Sequence, residues 1–198
     1  MGKIFYIMGK SASGKDTIYK EVSAYFSGVL RTLISYTTRP IREGEKDGVE
    51  YFFVTEAKAA AFAKAGKIIE LREYQTVMGP WKYFTVDDEQ IDLQNNSYLV
   101  IGTLESYMSM RKYFGGHTMV PIYVEVEDGE RLARALAREK MQMRPNYSEV
   151  CRRYLADEQD FCEEKLVQAG IEKRFQNHVL SDAVKEIIQY IERGNEHG

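Results

Sequence analysis

The sequence predicts an α/β fold in which a parallel sheet carries helices on both faces. Three observations predict it: short continuous apolar runs recur along the chain, helix-like segments separate them, and Gly or Pro residues mark the changes. The chain has 198 residues, of which 44% are hydrophobic and 29% are charged. This length and composition suit one well-buried globular domain and are too small for two full domains.

Core strands are expected where short apolar runs lack polar alternation, as buried parallel strands do. The first strand covers residues 3–8, a loop follows at 9–14, and a helix covers about 15–26. Further core strands are predicted at 29–35, 98–102, 119–126 and 178–180, with a helix between the second and third of these and helices at 128–140, 148–169 and 182–193. In the helix over 128–140, Leu132 and Leu136 are expected to face inward.

The segment after the second strand is predicted to be β-rich. Its expected elements are, in order, a polar loop or hairpin at 36–50, a strand at 51–54, a helix at 56–66, and paired strands at 67–71 and 81–85 around a turn at Gly79–Pro80. Glycines, prolines and polar clusters between the apolar runs place these turns.

Charge and cysteine content limit the environment and the partners. The net charge of −3 provides no overall basic field for nucleic acid or membranes, and neither is expected as a partner. Cys151 and Cys162 are eleven residues apart in a helix-like stretch, about 16 Å of rise and beyond disulfide reach. No run approaches the roughly 18 apolar residues of a membrane span, and the N-terminal apolar run is too short for a secretory signal. Reduced thiols and a cytoplasmic location are expected.

The loop after the first strand has the spacing Gly-x-x-x-x-Gly-Lys, from Gly9 to Lys15. Its glycines let backbone N–H groups turn toward phosphate oxygens, the following helix adds its positive dipole end, and Lys15 reaches the β- and γ-phosphates. The strand before it and the helix after it place the loop at the carboxyl edge of a P-loop NTPase-type sheet, where ligands bind. The predicted ATP-binding residues are Gly9, Ser11, Ala12, Ser13, Gly14, Lys15, Asp16 and Thr17.

Asp16 stands where such loops carry Ser or Thr as a magnesium ligand. Two arrangements are open. The Asp16 carboxylate can bind Mg²⁺, which prefers carboxylate, phosphate and water oxygens. Alternatively, Asp16 turns aside, water completes the metal shell, and Thr17 provides local hydrogen bonds. Phosphate binding through Lys15 holds in both.

Residues 35–54 read Ser-Tyr-Thr-Thr-Arg-Pro-Ile-Arg-Glu-Gly-Glu-Lys-Asp-Gly-Val-Glu-Tyr-Phe-Phe-Val. This run resembles the monophosphate-binding flap of guanylate kinase, whose pattern is Ser-x-Thr-Thr-Arg-x-x-Arg-x-Gly-Glu-x-x-Gly-x-x-Tyr-x-Phe-Val, and every fixed position is filled. The similarity runs from about residue 3 to 190 and is patchy after residue 71. It implies a single domain over 1–198, with a core at 1–35, 96–137 and 154–198, a flap at about 36–90 and a helical lid at about 138–153.

The flap carries the predicted acceptor site. Arg39 and Arg42 can grip a monophosphate through bidentate guanidinium forks, and Tyr51 adds a phenolic donor. The resemblance implies that Glu70 accepts two hydrogen bonds from guanine and that Tyr83 is the second phosphate-binding tyrosine. It implies GMP as the acceptor, bound by Ser35, Arg39, Arg42, Tyr51, Glu70, Tyr83 and Thr103.

Two departures from the family pattern lie at this site. Thr103 stands near the place where guanylate kinases end a buried strand with Asp-x-Asp. The carboxylate that accepts hydrogen bonds from guanine in the family is therefore replaced here by at best a hydroxyl. The family's Gly-Asn-Tyr-Tyr-Gly stretch has become the sequence from Gly79 to Phe84, with a few residues inserted.

In the family, arginines of a lid close over the donor nucleotide. The residues that match these arginines best are Arg138 and Arg153. The register of Arg138 is open by one residue, and Arg134 lies one turn earlier on the same helix face. Arg131 is expected on a solvated helix face. Asn177 stands at the family's adenine-contacting Asn-Asp, and His178 is interpreted as packing or capping. The implied catalytic residues are Lys15, Arg39, Arg138 and Arg153, with Mg²⁺ as cofactor and Asp16 as its candidate ligand.

The resemblance thus implies a nucleoside monophosphate kinase that catalyses ATP + GMP ⇌ ADP + GDP. Both nucleotides are small-molecule substrates, and the chain is expected to act as a monomer or a homodimer. Two alternatives stay open at this point: a kinase of another nucleotide or phosphorylated metabolite, and a non-catalytic guanylate-kinase-like binding module.

Overall fold

A computed structural model describes residues 1–76 and 79–196. The elements are β1 Ile4–Met8, α1 Lys15–Tyr25, β2 Leu30–Thr32, β3 Tyr36–Thr37, β4 Phe52–Phe53, α2 Glu56–Lys64, β5 Ile68–Thr76, β6 Gly79–Val86, β7 Ser97–Gly102, α3 Leu104–Phe114, β8 Met119–Glu125, α4 Asp128–Lys140, α5 Tyr147–Asp160, α6 Glu163–Gln168, β9 Arg174–Gln176 and α7 Leu180–Glu196. None of these helices is long and apolar enough to cross a membrane.

The core is a five-stranded sheet in the order β2-β7-β1-β8-β9. Each neighbouring pair runs parallel. β1 lies in the centre with all five of its residues buried, which explains why its sequence is continuously apolar. The carboxyl ends of β1, β7 and β8 therefore meet at one edge, where the loop of Gly9 to Lys15 begins.

Helices cover both faces of this sheet. Ile18 of α1 and Ile187 of α7 are fully buried in the cluster on one face. Tyr107 of α3 and Leu166 of α6 belong to the cluster on the other face. The predicted fold, a parallel sheet between two helical layers, is confirmed.

A second sheet, ordered β4-β3-β6-β5, forms the flap with α2. Its small core is aromatic: Tyr36 stacks on Phe84 at 5.5 Å between ring centroids and also contacts Phe52 and Phe62. Thr55 caps α2, because its side chain accepts a hydrogen bond from the N–H of Lys58 at 3.2 Å. The flap thus has its own core, apart from that of the parallel sheet.

The flap hairpin is longer than predicted. Gly79 and Pro80 do not form a turn; they belong to β6 and lie opposite Thr76 and Gln75 of β5. The backbone pairing continues past residue 71 through mostly polar residues, so the short apolar run did not reveal it.

Two boundaries near the C-terminus also differ from prediction. The last core strand is Arg174–Gln176 rather than 178–180, because Phe175 is the residue that is fully buried against the sheet. The helix predicted over 148–169 breaks at Phe161 and Cys162, where Phe161 turns inward to stack on Tyr123 at 5.7 Å. Both cysteines are free thiols, as predicted.

Helix α4 buries an unexpected side chain. Leu136, expected to face inward, is exposed, whereas Arg131, expected in solvent, is only 2% exposed. The face of α4 that packs on α5 is therefore ionic, since acidic side chains surround Arg131.

Candidate phosphoryl-transfer site

The loop after β1 has the shape that its glycines predict. Gly14 has φ +85°, in the region that favours glycine, and a Cβ on it would overlap the amide nitrogen of Asn177. Asn177 is buried, and its side-chain amide donates a 2.7 Å hydrogen bond to the carbonyl of Ser13. Asn177 thus positions the phosphate loop from the end of β9, a role that its spacing in the sequence does not reveal.

Lys15 is the first residue of α1, at the positive end of the helix dipole. Its Nζ lies 3.3 Å from Oδ2 of Asp16, whose side chain is 77% exposed. Among residues 1–76 and 79–196, no group of three His, Cys, Asp or Glu side chains is arranged to hold a metal. The Asp16 carboxylate fits Mg²⁺ as a single protein ligand, because Mg²⁺ is commonly held by one or two carboxylates together with substrate phosphates and water.

A cavity of about 740 Å³ opens beside this loop. It brings together predicted residues from three segments, namely Lys15 on α1, Thr103 after β7 and Arg153 on α5, together with Tyr74 of the flap. Thr103 also caps α3, since its hydroxyl accepts a 3.3 Å hydrogen bond from the N–H of Ser106. The cavity therefore lies between the core, the flap and the lid helices.

Arg39 is held rigidly in the flap and is 3% exposed. Its two terminal nitrogens donate to the two carboxylate oxygens of Glu45, each at 2.8 Å. Its guanidinium carbon lies 5.4 Å from the ring of Tyr51 and 5.3 Å from that of Phe53. Within the described part of the chain, its buried Nε has no hydrogen-bond partner. The terminal nitrogens of this cation are therefore already paired with Glu45, and its Nε–H is enclosed by protein.

Glu45, which prediction did not assign, organises this part of the flap. It accepts the Arg39 fork and also the backbone N–H of Arg42 at 2.8 Å. The hydrogen bonds from Arg39 and from this N–H lower the pKa of Glu45 to about 2. Arg42 itself is exposed at the surface. Tyr83 completes the group, with its ring 5.6 Å from that of Tyr51.

Glu70 is buried on β5, with its side chain 1% exposed. Its Oε1 accepts a 2.9 Å hydrogen bond from the hydroxyl of Thr85. Arg72, two residues along the same strand, donates from Nε to Oε2 at 3.0 Å and from Nη2 to Oε1 at 3.3 Å. Neither Thr85 nor Arg72 was assigned from the sequence. The alternation of a strand, which puts residues two apart on one face, is the signal that links Arg72 to Glu70.

Arg131 connects α4, α5 and the phosphate loop. It donates to Asp128 at 2.9 Å, to Asp157 at 3.1 Å and to Glu158 at 2.7 Å. Asp157 also accepts the backbone N–H of Ser11 at 2.8 Å. The expectation of a solvated face is wrong because three carboxylates pair with this cation and make its burial possible.

The predicted lid arginines line a second cavity, of about 620 Å³, between α4 and α5. Arg138, Arg144 and Arg153 lie on its wall, and Nε of Arg153 donates to Glu149 at 2.7 Å. Hydrogen bonds from Arg152 and, to a smaller extent, from Arg153 lower the pKa of Glu149 to about 2. Ser11 lines this cavity as well as the first one, so the lid arginines adjoin the phosphate loop.

The remaining predicted residues lie in the same regions. Ser35 borders the flap, where its carbonyl accepts the N–H of Phe52 at 3.0 Å. Arg134, one turn before Arg138, donates to the carbonyl of Asn177 at 2.8 Å and so also supports the phosphate loop. His178 lies at the surface, with Nδ1 3.2 Å from Glu130.

A parallel sheet with a phosphate loop at its carboxyl edge, facing a β-rich flap, is the design of the P-loop nucleoside monophosphate kinases. The guanylate kinase family model matches residues 1–106. This match spans more than half of the chain, and the chain belongs to the guanylate kinase family. The predicted family and the assignment as a kinase are thereby confirmed.

Individual proteins that are similar to this chain are also guanylate kinases. Guanylate kinase of Malacoplasma penetrans is 28% identical over 195 residues, which cover 93% of this chain and 87% of that protein. Guanylate kinase of Streptococcus agalactiae is 38% identical over 73 residues, 37% of this chain and 35% of that protein. The crystal structure of guanylate kinase from Anaplasma phagocytophilum superposes with a TM-score of 0.68 at 16% identity, over 98% of this chain and 86% of the other. That structural similarity supports the fold.

Proposed function

We propose that this kinase transfers the γ-phosphoryl group of ATP to GMP in a Mg²⁺-dependent reaction that yields ADP and GDP. The observation that carries the choice of GMP is the buried carboxylate of Glu70 on the flap. A carboxylate can accept two parallel hydrogen bonds, from N1–H and the exocyclic amine of guanine, and adenine does not offer that pair. The names of the relatives support the same acceptor.

In this proposal, the loop from Gly9 to Gly14 and Lys15 hold the donor phosphates. Arg39, Arg42, Ser35, Tyr51 and Tyr83 hold the acceptor phosphate. Bound Mg²⁺ would neutralise charge on the donor phosphates, with Asp16 as its ligand from this chain.

Phosphoryl transfer needs positioning and positive charge more than covalent chemistry. The protein supplies both, through Arg39 held on Glu45 and through Arg138 and Arg153 beside the phosphate loop. Closure of the flap (about 36–90) and of the lid (about 138–153) would exclude water, so that the acceptor phosphate attacks instead of solvent.

A coupled assay of ADP release across GMP, dGMP, AMP, CMP, UMP and IMP tests the acceptor. GMP and dGMP are expected to give the highest kcat/KM, and IMP less, because it lacks the exocyclic amine that Glu70 would bind. A higher kcat/KM for AMP or a pyrimidine nucleotide would overturn the choice of GMP. Binding of ATP and GMP without turnover would instead favour a binding module.

One other acceptor class has an observation in its favour. Glu70 is paired with Arg72, and Thr103 is used as a helix cap, so the base site differs from the family pattern. A kinase of another phosphorylated metabolite would fit such a site, and inactivity with the whole nucleotide panel would favour it. The free thiols of Cys151 and Cys162 support the proposed cytoplasmic location, and a monomer or homodimer stays a prediction.

A further inference from the structure

The hydrogen-bonding capacity of Glu70 is nearly filled by its own neighbours. A carboxylate has about four lone-pair sites. Three donors already use them: Thr85 Oγ1 and Arg72 Nη2 on Oε1, and Arg72 Nε on Oε2. About one lone-pair site is therefore left, on Oε2. Guanine needs two sites at once, because its N1–H and its exocyclic amine both donate to the carboxylate.

The geometry of the Arg72 bonds makes the competition direct. Nε–H and Nη2–H of Arg72 form a planar, parallel pair of donors, one to each oxygen of Glu70. The N1–H and amine of guanine form a pair of the same shape. Two such forks cannot use the same edge of one carboxylate together.

We propose that Arg72 occupies the base-reading edge of Glu70 and that the acceptor base must displace it to bind. The inference rests on the proposed function, because it takes GMP as the acceptor. Arg72 is then an acceptor-site residue that sets how tightly the base is held, and it takes no part in the transfer of the phosphoryl group.

The surroundings explain why Arg72 stays on Glu70. Burial alone would lower the pKa of Arg72, but the negative charge and the hydrogen bonds of Glu70, together with Tyr6 and Tyr74, raise the pKa overall. Removing either partner therefore leaves a buried charge without its counter-ion. Tyr74, two residues further along β5, lines the cavity that contains Lys15. The pair of Glu70 and Arg72 thus lies next to the place where phosphoryl transfer is proposed.

The test is steady-state kinetics on Arg72→Met and Arg72→Lys in the full chain. Methionine keeps the length and the apolar stem of the side chain but removes the fork, so KM for GMP is expected to fall by about tenfold, the value of one charge-assisted hydrogen bond. kcat and KM for ATP should change by less than about twofold, because the phosphate-binding groups are untouched. Lysine keeps the charge without the fork and should give a smaller fall in KM.

Two controls separate this role from a structural one. Arg31→Met removes an exposed arginine on β2, at the far edge of the parallel sheet, and should leave KM for GMP unchanged. In a Glu70→Gln background, Arg72→Met should no longer lower KM for GMP, since the competition needs the carboxylate. Damage to the fold would instead lower kcat or raise KM in both backgrounds.

The outcomes distinguish the two proposals. Turnover of GMP by the wild type supports the proposed function, and an unchanged or higher KM for GMP in both Arg72 variants overturns the role of Arg72. If the wild type is inactive on GMP and Arg72→Met is active, the role of Arg72 is supported and GMP as the natural acceptor is overturned. If neither protein uses GMP, both proposals are wrong. If Arg72→Met does not fold, Arg72→Lys decides the role of Arg72 by the same criterion.

Discussion

Arg131→Met removes the buried cation that joins α4 and α5 to the phosphate loop. Methionine matches the apolar stem of arginine, but it removes the guanidinium and with it the cation–π contact to Tyr154, whose ring centroid lies 4.4 Å from the guanidinium carbon. The variant therefore deletes the charge, its hydrogen bonds and this contact, and it keeps the packing of the apolar stem.

The three acidic partners of Arg131 do not become equally unpaired in this variant, because they differ in solvent exposure and in their remaining partners. The side chains of Asp128 and Glu158 are 42% and 39% exposed, and Lys10 still pairs with both, at 3.3 and 2.7 Å. Asp157 is 14% exposed and keeps the N–H of Ser11 as a partner. Breaking a buried ion pair lowers the free energy of unfolding by about 3–5 kcal/mol. Because two of the three acidic partners stay solvated, we expect a loss of about 3 kcal/mol for this variant. For a chain of this size, that corresponds to a fall of roughly 6–12 °C in Tm.

Chemical and thermal unfolding of the wild type and the variant measures this free energy. Arg152→Met is the matched control: Arg152 is exposed and its pair with Glu149 should be worth less than about 1 kcal/mol. Adding Asp157→Asn to Arg131→Met should recover part of the loss, because the unpaired charge is removed. A loss for Arg131→Met no larger than that of Arg152→Met would refute the reasoning that the network stabilises the fold.

Three further predictions concern the phosphate loop and the flap. Lys15→Ala should abolish turnover and leave the unfolding transition unchanged; near wild-type rates in the ADP-release assay would exclude the proposed mechanism. Gly14→Ala should weaken ATP binding and cost more stability than Gly28→Ala, which has a similar φ of +81° but open space where Gly14 meets Asn177; equal losses in a urea titration would contradict the contact with Asn177. The pKa of Glu45 is lowered from its usual 4.5 to about 2, so its contribution to stability is present above about pH 4.5 and is lost as the pH falls toward 2. The difference in unfolding free energy between wild type and Glu45→Gln should therefore shrink between about pH 5 and pH 3, and a difference that is constant with pH would contradict this assignment.

Much of the fold follows from local patterns. Continuous apolar strands such as residues 3–8, with glycines and prolines between them, predicted the parallel sheet and its two helical layers, and the structure confirms both. Boundaries were less accurate where tertiary contacts decide them. The last strand lies around Phe175 because that side chain fills the core, and the long helix breaks at Phe161 because its ring turns toward Tyr123.

The candidate site likewise has a part that the sequence predicts and a part that it does not. The donor loop could be found from spacing alone, because its chemistry resides in the backbone of consecutive residues and in one lysine. The supports of the site could not. Asn177 reaches the carbonyl of Ser13 from 164 residues away, and nothing in the neighbourhood of Asn177 in the sequence indicates that contact. The roles assigned to Arg138, Arg153 and Thr103 stay predictions.

The sequence by itself determined the fold class and the family, since both depend on periodicity and on motifs of contiguous residues. Only the tertiary structure decided which charges meet: Arg39 with Glu45, Arg131 with Asp157, and Arg72 with Glu70. The physical reason is that an ionic side chain is equally well solvated at many places on a surface. Its position becomes unique only when folding removes water and leaves it a fixed set of partners of opposite charge.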